Sequence, residues 1–181
     1  DGDADGINGA LRIVAAKTGD EITSARIRSD IDEIGAHGYY EVRAKLPSES
    51  GAWPAIWLLG NITPDRGWPD TGEIDLVEWS SALGYADNHI SSALHFRGTP
   101  EQQPSFDNTQ FTNGADLSSA VDQWHTYQVW WSPDQIRIGV DGNADNAHLV
   151  YTKLPGATND DWPFDHPMDL IMNIAIGGNM G

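Results

Sequence analysis

Three acidic residues stand close together in an apolar segment of this chain. The segment GEIDLVEW, residues 72–79, carries Glu73, Asp75 and Glu78 among strand-forming residues. Carboxyl groups crowded on one face repel each other, so at least one of them is pushed toward its protonated form. An ionised carboxylate beside a protonated carboxyl is the pair that glycoside hydrolysis requires. A solvated edge strand and a metal site are alternatives that the spacing alone leaves open.

The spacing of these acids predicts an irregular strand. On a regular strand Glu73 and Asp75 share a face, whereas Glu78 has the opposite parity and points to the other side. One extra residue between Asp75 and Glu78, a β-bulge, brings all three side chains to the same side, and bulges are frequent beside active sites. We therefore expect a bulge within residues 75–78.

The rest of the chain predicts an all-β domain that positions these acids. Short stretches with period-two alternation recur between turn-forming clusters, and no window shows convincing helical periodicity. The predicted strands are residues 10–16, 22–28, 38–46, 53–59, 73–79, 89–96, 124–131, 135–140, 147–152 and 168–176. Segments 60–72, 97–123 and 153–167 are rich in Gly, Pro, Asn and Asp and are predicted as long loops. Ten short strands favour a two-sheet antiparallel sandwich, with a closed barrel as the alternative.

The composition limits the classes of partner. The 181 residues suit one domain, and the net charge of −17 makes nucleic acid and anionic membrane surfaces poor partners. No apolar run approaches the roughly 20 residues that a membrane-spanning helix needs. The chain has no cysteine, which excludes disulfides and thiolate zinc sites. It begins at Asp1 without a leader-like segment, so processing or trimming is expected.

Six sequence segments occur in an order typical of one enzyme family. They are YYEVRAKLP, GAWPAIWLL, GWPDTGEIDLVEW, HISSALHF, WHTYQVWWSPDQIRIGVDG and MDLIMNIAIGGN. Together they resemble glycoside hydrolase family 16, in particular its laminarinase-like branch, whose signature G-E-[apolar]-D-[apolar]-[apolar]-E is matched in full by GEIDLVE. The resemblance implies a jelly roll, a concanavalin-A-like sandwich of two antiparallel sheets with a concave substrate cleft.

The resemblance also implies roles for the three acids. Glu73 resembles the nucleophile of the family, and Glu78 resembles its general acid/base. Asp75 resembles the acid between them that hydrogen-bonds the nucleophile and helps to set its protonation. The hydrolases of the family retain anomeric configuration, so the implied reaction is a double displacement.

Three tryptophans and a histidine are candidate substrate contacts. Trp53 and Trp57 lie four apart on a predicted strand and share a face, as an aromatic platform for a sugar chain requires, although two core tryptophans would show the same spacing. Trp68 resembles a family tryptophan that stacks against a sugar on the non-reducing side of the cut. His95 resembles a family histidine near the acid/base, and a structural histidine is the alternative.

Three further residues complete the predicted substrate-binding set. Arg43 lies on the polar face of a strand that resembles part of the cleft-lining sheet of the family, so it is expected to donate to a substrate hydroxyl, with an ion pair as the alternative. Trp130 lies on a strand whose alternation indicates packing, and it is expected to reach the cleft. Asn179 follows Gly177-Gly178 and is expected to bind a sugar hydroxyl, because glycines let the backbone approach a ligand.

The chain departs from the family pattern at two places. Met180 stands where the family often has Trp, so one aromatic subsite is expected to be missing or supplied elsewhere. Family modules also carry extra strands before the position of Asp1 and after that of Gly181, so the chain is expected to lack some terminal strands. No cofactor and no active-site metal are expected. Structural calcium stays open, because family members often hold one and DGDADG at residues 1–6 has oxygen ligands at alternate positions.

These observations predict a secreted or periplasmic monomeric enzyme that cuts β-1,3-glucan of the laminarin type, or mixed-linkage β-1,3-1,4-glucan, within the chain. An agarase- or carrageenase-like galactan hydrolase is one alternative, although the acidic field disfavours a sulfated substrate. A noncatalytic glucan-binding module is another. Known binding relatives of the fold have lost the catalytic acids, whereas Glu73 and Glu78 are both present here.

Overall fold

The computed structural model describes residues 9–29, 34–83, 87–99 and 110–177, which form short strands and almost no helix. The strands are β1 (Ala16–Thr18), β2 (Glu21–Thr23), β3 (Arg26–Arg28), β4 (Gly38–Lys45), β5 (Ala52–Gly60), β6 (Glu73–Glu78), β7 (His89–His95), β8 (Gln110–Asp116), β9 (Trp124–Trp131), β10 (Gln135–Val140), β11 (Leu149–Thr152) and β12 (Met168–Ile176). Two single-turn 3₁₀ helices cover Ser81–Leu83 and Ala144–Asn146. Among the described residues, no helix is long and apolar enough to cross a lipid bilayer.

Two antiparallel sheets make up the sandwich. One sheet has six strands in the order β3-β12-β5-β6-β7-β8, and the other has four in the order β11-β10-β9-β4. β1 and β2 pair only with each other, as a separate hairpin. The predicted two-sheet antiparallel sandwich is therefore confirmed, and the strand that carries the three acids, β6, lies in the interior of the larger sheet.

The core lies between the sheets and is built by alternation along the strands. Val42 on β4 packs against the core, and Tyr127 and Val129 on β9 are completely buried in it. Ile74 on β6 and Leu94 on β7 are buried from the opposite side. Each such side chain contributes about 1.5–3 kcal/mol by leaving water. Because the apolar sides of the central strands of both sheets face inward, the polar positions of the two sheets point to opposite outer faces of the sandwich.

The strand predictions fail at three places. The predicted strand 10–16 is wrong over most of its length, since β1 begins at Ala16. The predicted strand 22–28 divides into β2 and β3, which belong to different sheets. β8 lies inside the segment 97–123 that was predicted as a loop. β8 is an edge strand, so its sequence QFTNGAD does not need the apolar alternation that identifies interior strands.

Candidate active site

A β-bulge in β6 brings the three acids to one face, as predicted. On the β5 side, Ile56 pairs with Val77 and Trp57 pairs with Asp75, which leaves Leu76 without a partner. On the β7 side, Asp75 pairs with Ala93 and the next pair joins Glu78 to Ser91. The extra residue reverses the parity of the strand after Asp75, so that Leu76 and Val77 are both buried while Glu78 returns to the face of Glu73.

The three acids line a cleft of about 650 Å³ on the outer face of the six-stranded sheet. β5 contributes Trp53 and Trp57 to the same cleft. The prediction that the two tryptophans share a face is therefore confirmed, and the core positions on β5 are taken by the aliphatic residues between and beside them. The remaining walls come from residues 22–26 and from the end of β12, residues 173–176.

Each of the two glutamates accepts a hydrogen bond from a tryptophan indole. Trp53 Nε1 donates to Glu78 Oε1 at 2.9 Å, and Trp68 Nε1 donates to Glu73 Oε2 at 3.0 Å. An N–H donor stabilises the ionised form of a carboxyl group more than the protonated form. Trp68 lies in the loop before β6 and is 52% exposed, so its ring is open to a ligand beside Glu73.

Asp75 is the most buried member of the cluster, with 3% of its surface exposed. Its carboxyl is hydrogen-bonded to that of Glu73, and its Oδ2 lies 3.1 Å from His95 Nε2. The same imidazole nitrogen is 3.7 Å from Glu73 Oε1, because His95 pairs with Glu73 in the ladder between β6 and β7. The structure thus places His95 directly against the Glu73–Asp75 pair, whereas the resemblance implied a position near the acid/base.

Burial raises the pKa of all three acids. The pKa of Glu73 rises to about 8, first because of burial and then because of the charge of Asp75, while His95 and the Trp68 indole oppose the rise. Burial raises the pKa of Asp75 well above its usual range, and the charge of Glu78 raises it further. Burial also raises the pKa of Glu78, against the Trp53 hydrogen bond. At neutral pH the cluster therefore holds a proton, which is the condition for general acid catalysis.

The structure puts Arg43 and Trp130 on the opposite side of the molecule from this cleft. β4 and β9 belong to the four-stranded sheet, and their inner faces are occupied by core residues. Arg43 therefore faces outward and stacks on Trp124 at 4.9 Å, while Trp130 packs beside Tyr39. The expectation that both residues reach the cleft is wrong, because the sheet that β4 joins is set by non-local pairing and not by its own alternation.

Two cleft residues were not predicted as substrate contacts. Asn173 on β12 accepts a hydrogen bond from Trp57 Nε1 at 2.8 Å, and the Arg26 guanidinium stacks on the Trp57 ring at 4.5 Å. A signal for Asn173 was present, since it is a polar residue inside the apolar strand MDLIMNIAI. Asn179, which was predicted to bind a sugar hydroxyl, lies outside the described residues, as does the DGDADG segment.

Three members of the cluster also have the spacing of metal ligands. One side-chain atom each from Glu73, Asp75 and His95 lies within 4.8 Å of the other two. Two carboxylates and an imidazole form a donor set that suits a first-row divalent metal. The same side-chain atoms can therefore take part in proton transfer at a sugar or bind a metal ion, but they cannot do both at once.

Comparison with known proteins agrees with the geometry. Residues 5–180 match the model of the family described as Glycosyl hydrolases family 16. The chain belongs to this family. Its fold and candidate site define an antiparallel sandwich with three carboxyl groups gathered on one face.

Named relatives point to one branch of the family. A beta-glucanase of Rhodothermus marinus is 33% identical over 97% of this chain and 61% of its own length. A glucan endo-1,3-beta-glucosidase A1 of Niallia circulans is 36% identical over 79% of this chain, which corresponds to 20% of that protein. The crystal structure of a laminarinase from Flavobacterium sp. UMI-01 superposes with a TM-score of 0.75 at 34% identity, covering 92% of this chain and 66% of that one. The chain thus spans less than two thirds of these relatives.

Proposed function

We propose that this chain is the catalytic domain of a retaining endo-hydrolase that acts on β-1,3-glucan or on mixed-linkage β-1,3-1,4-glucan. The observation that carries the proposal is the bulge of β6, which gathers Glu73, Asp75 and Glu78 on one face of an open cleft. A metal-free double displacement needs a nucleophile and a proton donor on the same face of the sheet. The two outer glutamates meet that requirement.

In the first step Glu73 attacks the anomeric carbon while Glu78 protonates the departing glycosidic oxygen. The bond from the anomeric carbon to that oxygen breaks, and an ester bond to Glu73 forms. Glu78 suits the role of acid because burial raises its pKa and so keeps its proton bound. In the second step Glu78 takes a proton from water, whose oxygen displaces Glu73 and restores the configuration of the sugar.

His95 supports the ionised form of Glu73, and Asp75 does so when it carries the proton of the pair. Burial raises the pKa of both Asp75 and Glu73, so the pair shares one proton across the hydrogen bond between them. For Glu73 to attack, Asp75 must carry that proton and donate it to Glu73. His95 and the Trp68 indole both face Glu73 and favour its negative charge. With the proton on Asp75, Glu73 is ionised and acts as the nucleophile, and no second negative charge lies beside it.

The cleft and the charge of the chain support a neutral glucan as the substrate. Trp53 and Trp57 offer aromatic surface along the sheet, which suits sugar rings. A net charge of −17 repels sulfated galactans. The relatives named as glucanases and the laminarinase structure agree with a glucan. Because such polymers do not cross membranes, we place the enzyme outside the cytoplasm, as a monomer that needs no cofactor.

Digestion of four polysaccharides tests the substrate. Laminarin and lichenan should give a ladder of short oligosaccharides on thin-layer chromatography, whereas agarose and carrageenan should stay intact. Binding of laminarin without release of any product would favour the noncatalytic alternative. Oligosaccharides released from agarose or carrageenan alone would favour a galactan hydrolase.

Azide rescue tests the roles of the two glutamates. With an activated aryl glycoside, Glu78→Ala should still form the glycosyl ester on Glu73, and azide should release it as the β-glycosyl azide. In Glu73→Ala, azide attacks the substrate directly and should give the α-azide. Glu78→Ala should lose about 10²- to 10⁴-fold in kcat on laminarin, and Glu73→Ala should lose at least as much, because it cannot form the glycosyl ester. A β-azide from Glu73→Ala would mean that the two roles must be exchanged.

A further inference from the structure

The bulge of β6 interrupts its regular pairing with the neighbouring strands inside the sandwich. Between the pairs Asp75–Ala93 and Glu78–Ser91, the two residues Leu76 and Val77 lie opposite the single residue Ser92. Leu76 also has no partner on β5. Leu76 is 1% exposed, so its carbonyl oxygen cannot turn to water and needs a hydrogen-bond donor inside the sandwich.

Ser92 provides such a donor. Its side chain is fully buried, and its Oγ donates to the Leu76 carbonyl oxygen at 2.7 Å. Ser92 thus lies opposite the bulge and bonds the residue that the bulge inserts. If the same residues of β6 paired regularly, without a bulge, Glu78 would have the opposite parity to Glu73 and would point toward the core. The contact between Ser92 and Leu76 therefore helps to determine the direction of the Glu78 side chain.

A histidine from the other side of the sandwich holds Ser92. His148 lies just before β11, at the edge of the four-stranded sheet, and its Nε2 is 2.9 Å from Ser92 Oγ. Since the single hydroxyl hydrogen of Ser92 goes to Leu76, His148 Nε2 must be the donor in this contact. A side-chain amide of β8, from Asn113, in turn donates to the His148 carbonyl oxygen.

The surroundings of His148 keep it in this neutral tautomer. Its Nδ1 is buried and has no hydrogen-bond partner among the described residues. A proton on Nδ1 would make it a buried donor without an acceptor, which is unfavourable. In agreement, burial and, after it, the charge of His89 lower the pKa of His148 to about 4.

We propose that His148 and Ser92 are positioning residues that hold the β6 bulge, and through it the carboxyl of Glu78, in the place required for catalysis. This proposal rests on the proposed role of Glu78 as acid/base. The hydrogen-bonded chain from His148 through Ser92 to the Leu76 carbonyl is called the relay below. The bulge follows Asp75, so Glu73 keeps its regular pairing with His95 and Leu59 whether or not the relay is intact. Loss of the relay should therefore impair acid catalysis and spare the nucleophile.

Leaving-group dependence tests the relay. For Ser92→Ala and His148→Leu, we expect kcat/KM on laminarin to fall about 10- to 100-fold, because displacing an acid by about 1 Å has effects of this size. On a 2,4-dinitrophenyl β-glycoside, whose leaving group needs no proton, kcat/KM should fall less than about twofold. The laminarin loss should be mainly in kcat. His148→Gln, which keeps an N–H donor of similar reach, should restore most of the activity.

Two comparisons separate positioning from loss of stability. Ser80→Ala also removes a buried serine hydroxyl next to β6, one that accepts a hydrogen bond from the Ala82 amide. This variant should leave the ratio of kcat/KM on laminarin to kcat/KM on the aryl glycoside unchanged. In the double variant Ser92→Ala/His148→Leu the losses should not add, because both remove one chain of contacts. If Ser92→Ala is unfolded at the assay temperature, the two His148 variants replace it in the test. His148→Leu should lose activity selectively on laminarin, and His148→Gln should not.

The outcomes distinguish this proposal from the proposed function. Suppose that Glu78→Ala loses activity selectively on laminarin, but that Ser92→Ala and His148→Leu lower kcat/KM equally on both substrates or behave like Ser80→Ala. The relay is then overturned, and the acid/base role of Glu78 stands. If Glu78→Ala itself shows no dependence on the leaving group, the proposed role of Glu78 fails. A selective loss in both relay variants, rescued by His148→Gln, supports the relay.

Discussion

The indole of Trp53 should control the alkaline limit of activity. Its Nε1 donates to Glu78 Oε1 at 2.9 Å, and this bond favours the ionised carboxylate. In Trp53→Phe the bond is lost, so the pKa of Glu78 should rise above its already raised value. Because Glu78 acts as an acid in the first step, the alkaline limb of the kcat/KM profile should move to higher pH.

The size of this shift follows from the strength of the bond. A hydrogen bond to a charged group contributes about 1.5–3 kcal/mol, and 1.36 kcal/mol corresponds to one pKa unit, so complete loss would give about 1–2 units. Trp53 and Glu78 are both half-buried, and water will replace part of the bond. We therefore expect about 0.5–1 unit.

A pH series of kcat/KM on laminarin measures the shift, and Trp57→Phe is the matched control. Trp57 lies on the same strand and lines the same cleft, but its indole donates to Asn173. Both variants should raise KM, whereas only Trp53→Phe should move the alkaline limb. An unchanged limb in Trp53→Phe, or an equal shift in Trp57→Phe, would refute the reasoning.

Three further perturbations test the electrostatics of the chain. The pKa of Glu73 is raised from 4.5 to about 8, so its contribution to stability is full below about pH 4.5 and is lost by about pH 8. Glu73→Gln should therefore show a smaller fall in Tm between pH 5 and pH 9 than the native protein, and an equal fall would contradict the raised pKa. Zn²⁺ should inhibit hydrolysis competitively by binding Glu73, Asp75 and His95, and EDTA should reverse this without lowering the basal rate; a rate that EDTA abolishes would mean that a metal is required. Because a net charge of −17 disfavours the compact state and the Debye length falls from about 10 Å at 0.1 M to about 3 Å at 1 M salt, Tm should rise in 1 M sodium chloride, and a fall would count against self-repulsion.

The residues that carry the chemistry could be found from the sequence because their signals are local. Side-chain direction along a strand follows a period of two, so the offset of Glu78 from Glu73 and Asp75 was enough to predict a bulge before any pairing was known. The same period placed Trp53 and Trp57 on one face. Both predictions need only the geometry of one strand.

Only the tertiary structure decided which strands share a sheet and which side chains are buried. Alternation on β4 placed Arg43 on a polar face, and alternation on β9 indicated that Trp130 belongs to a packed strand, but neither pattern showed that their sheet lies on the far side of the sandwich. The contact between Ser92 and His148 joins residues 56 positions apart. The raised pKa of Asp75 depends on burial by several strands at once. Sheet membership and desolvation are non-local quantities, since they depend on pairing between distant segments, whereas parity along a strand does not.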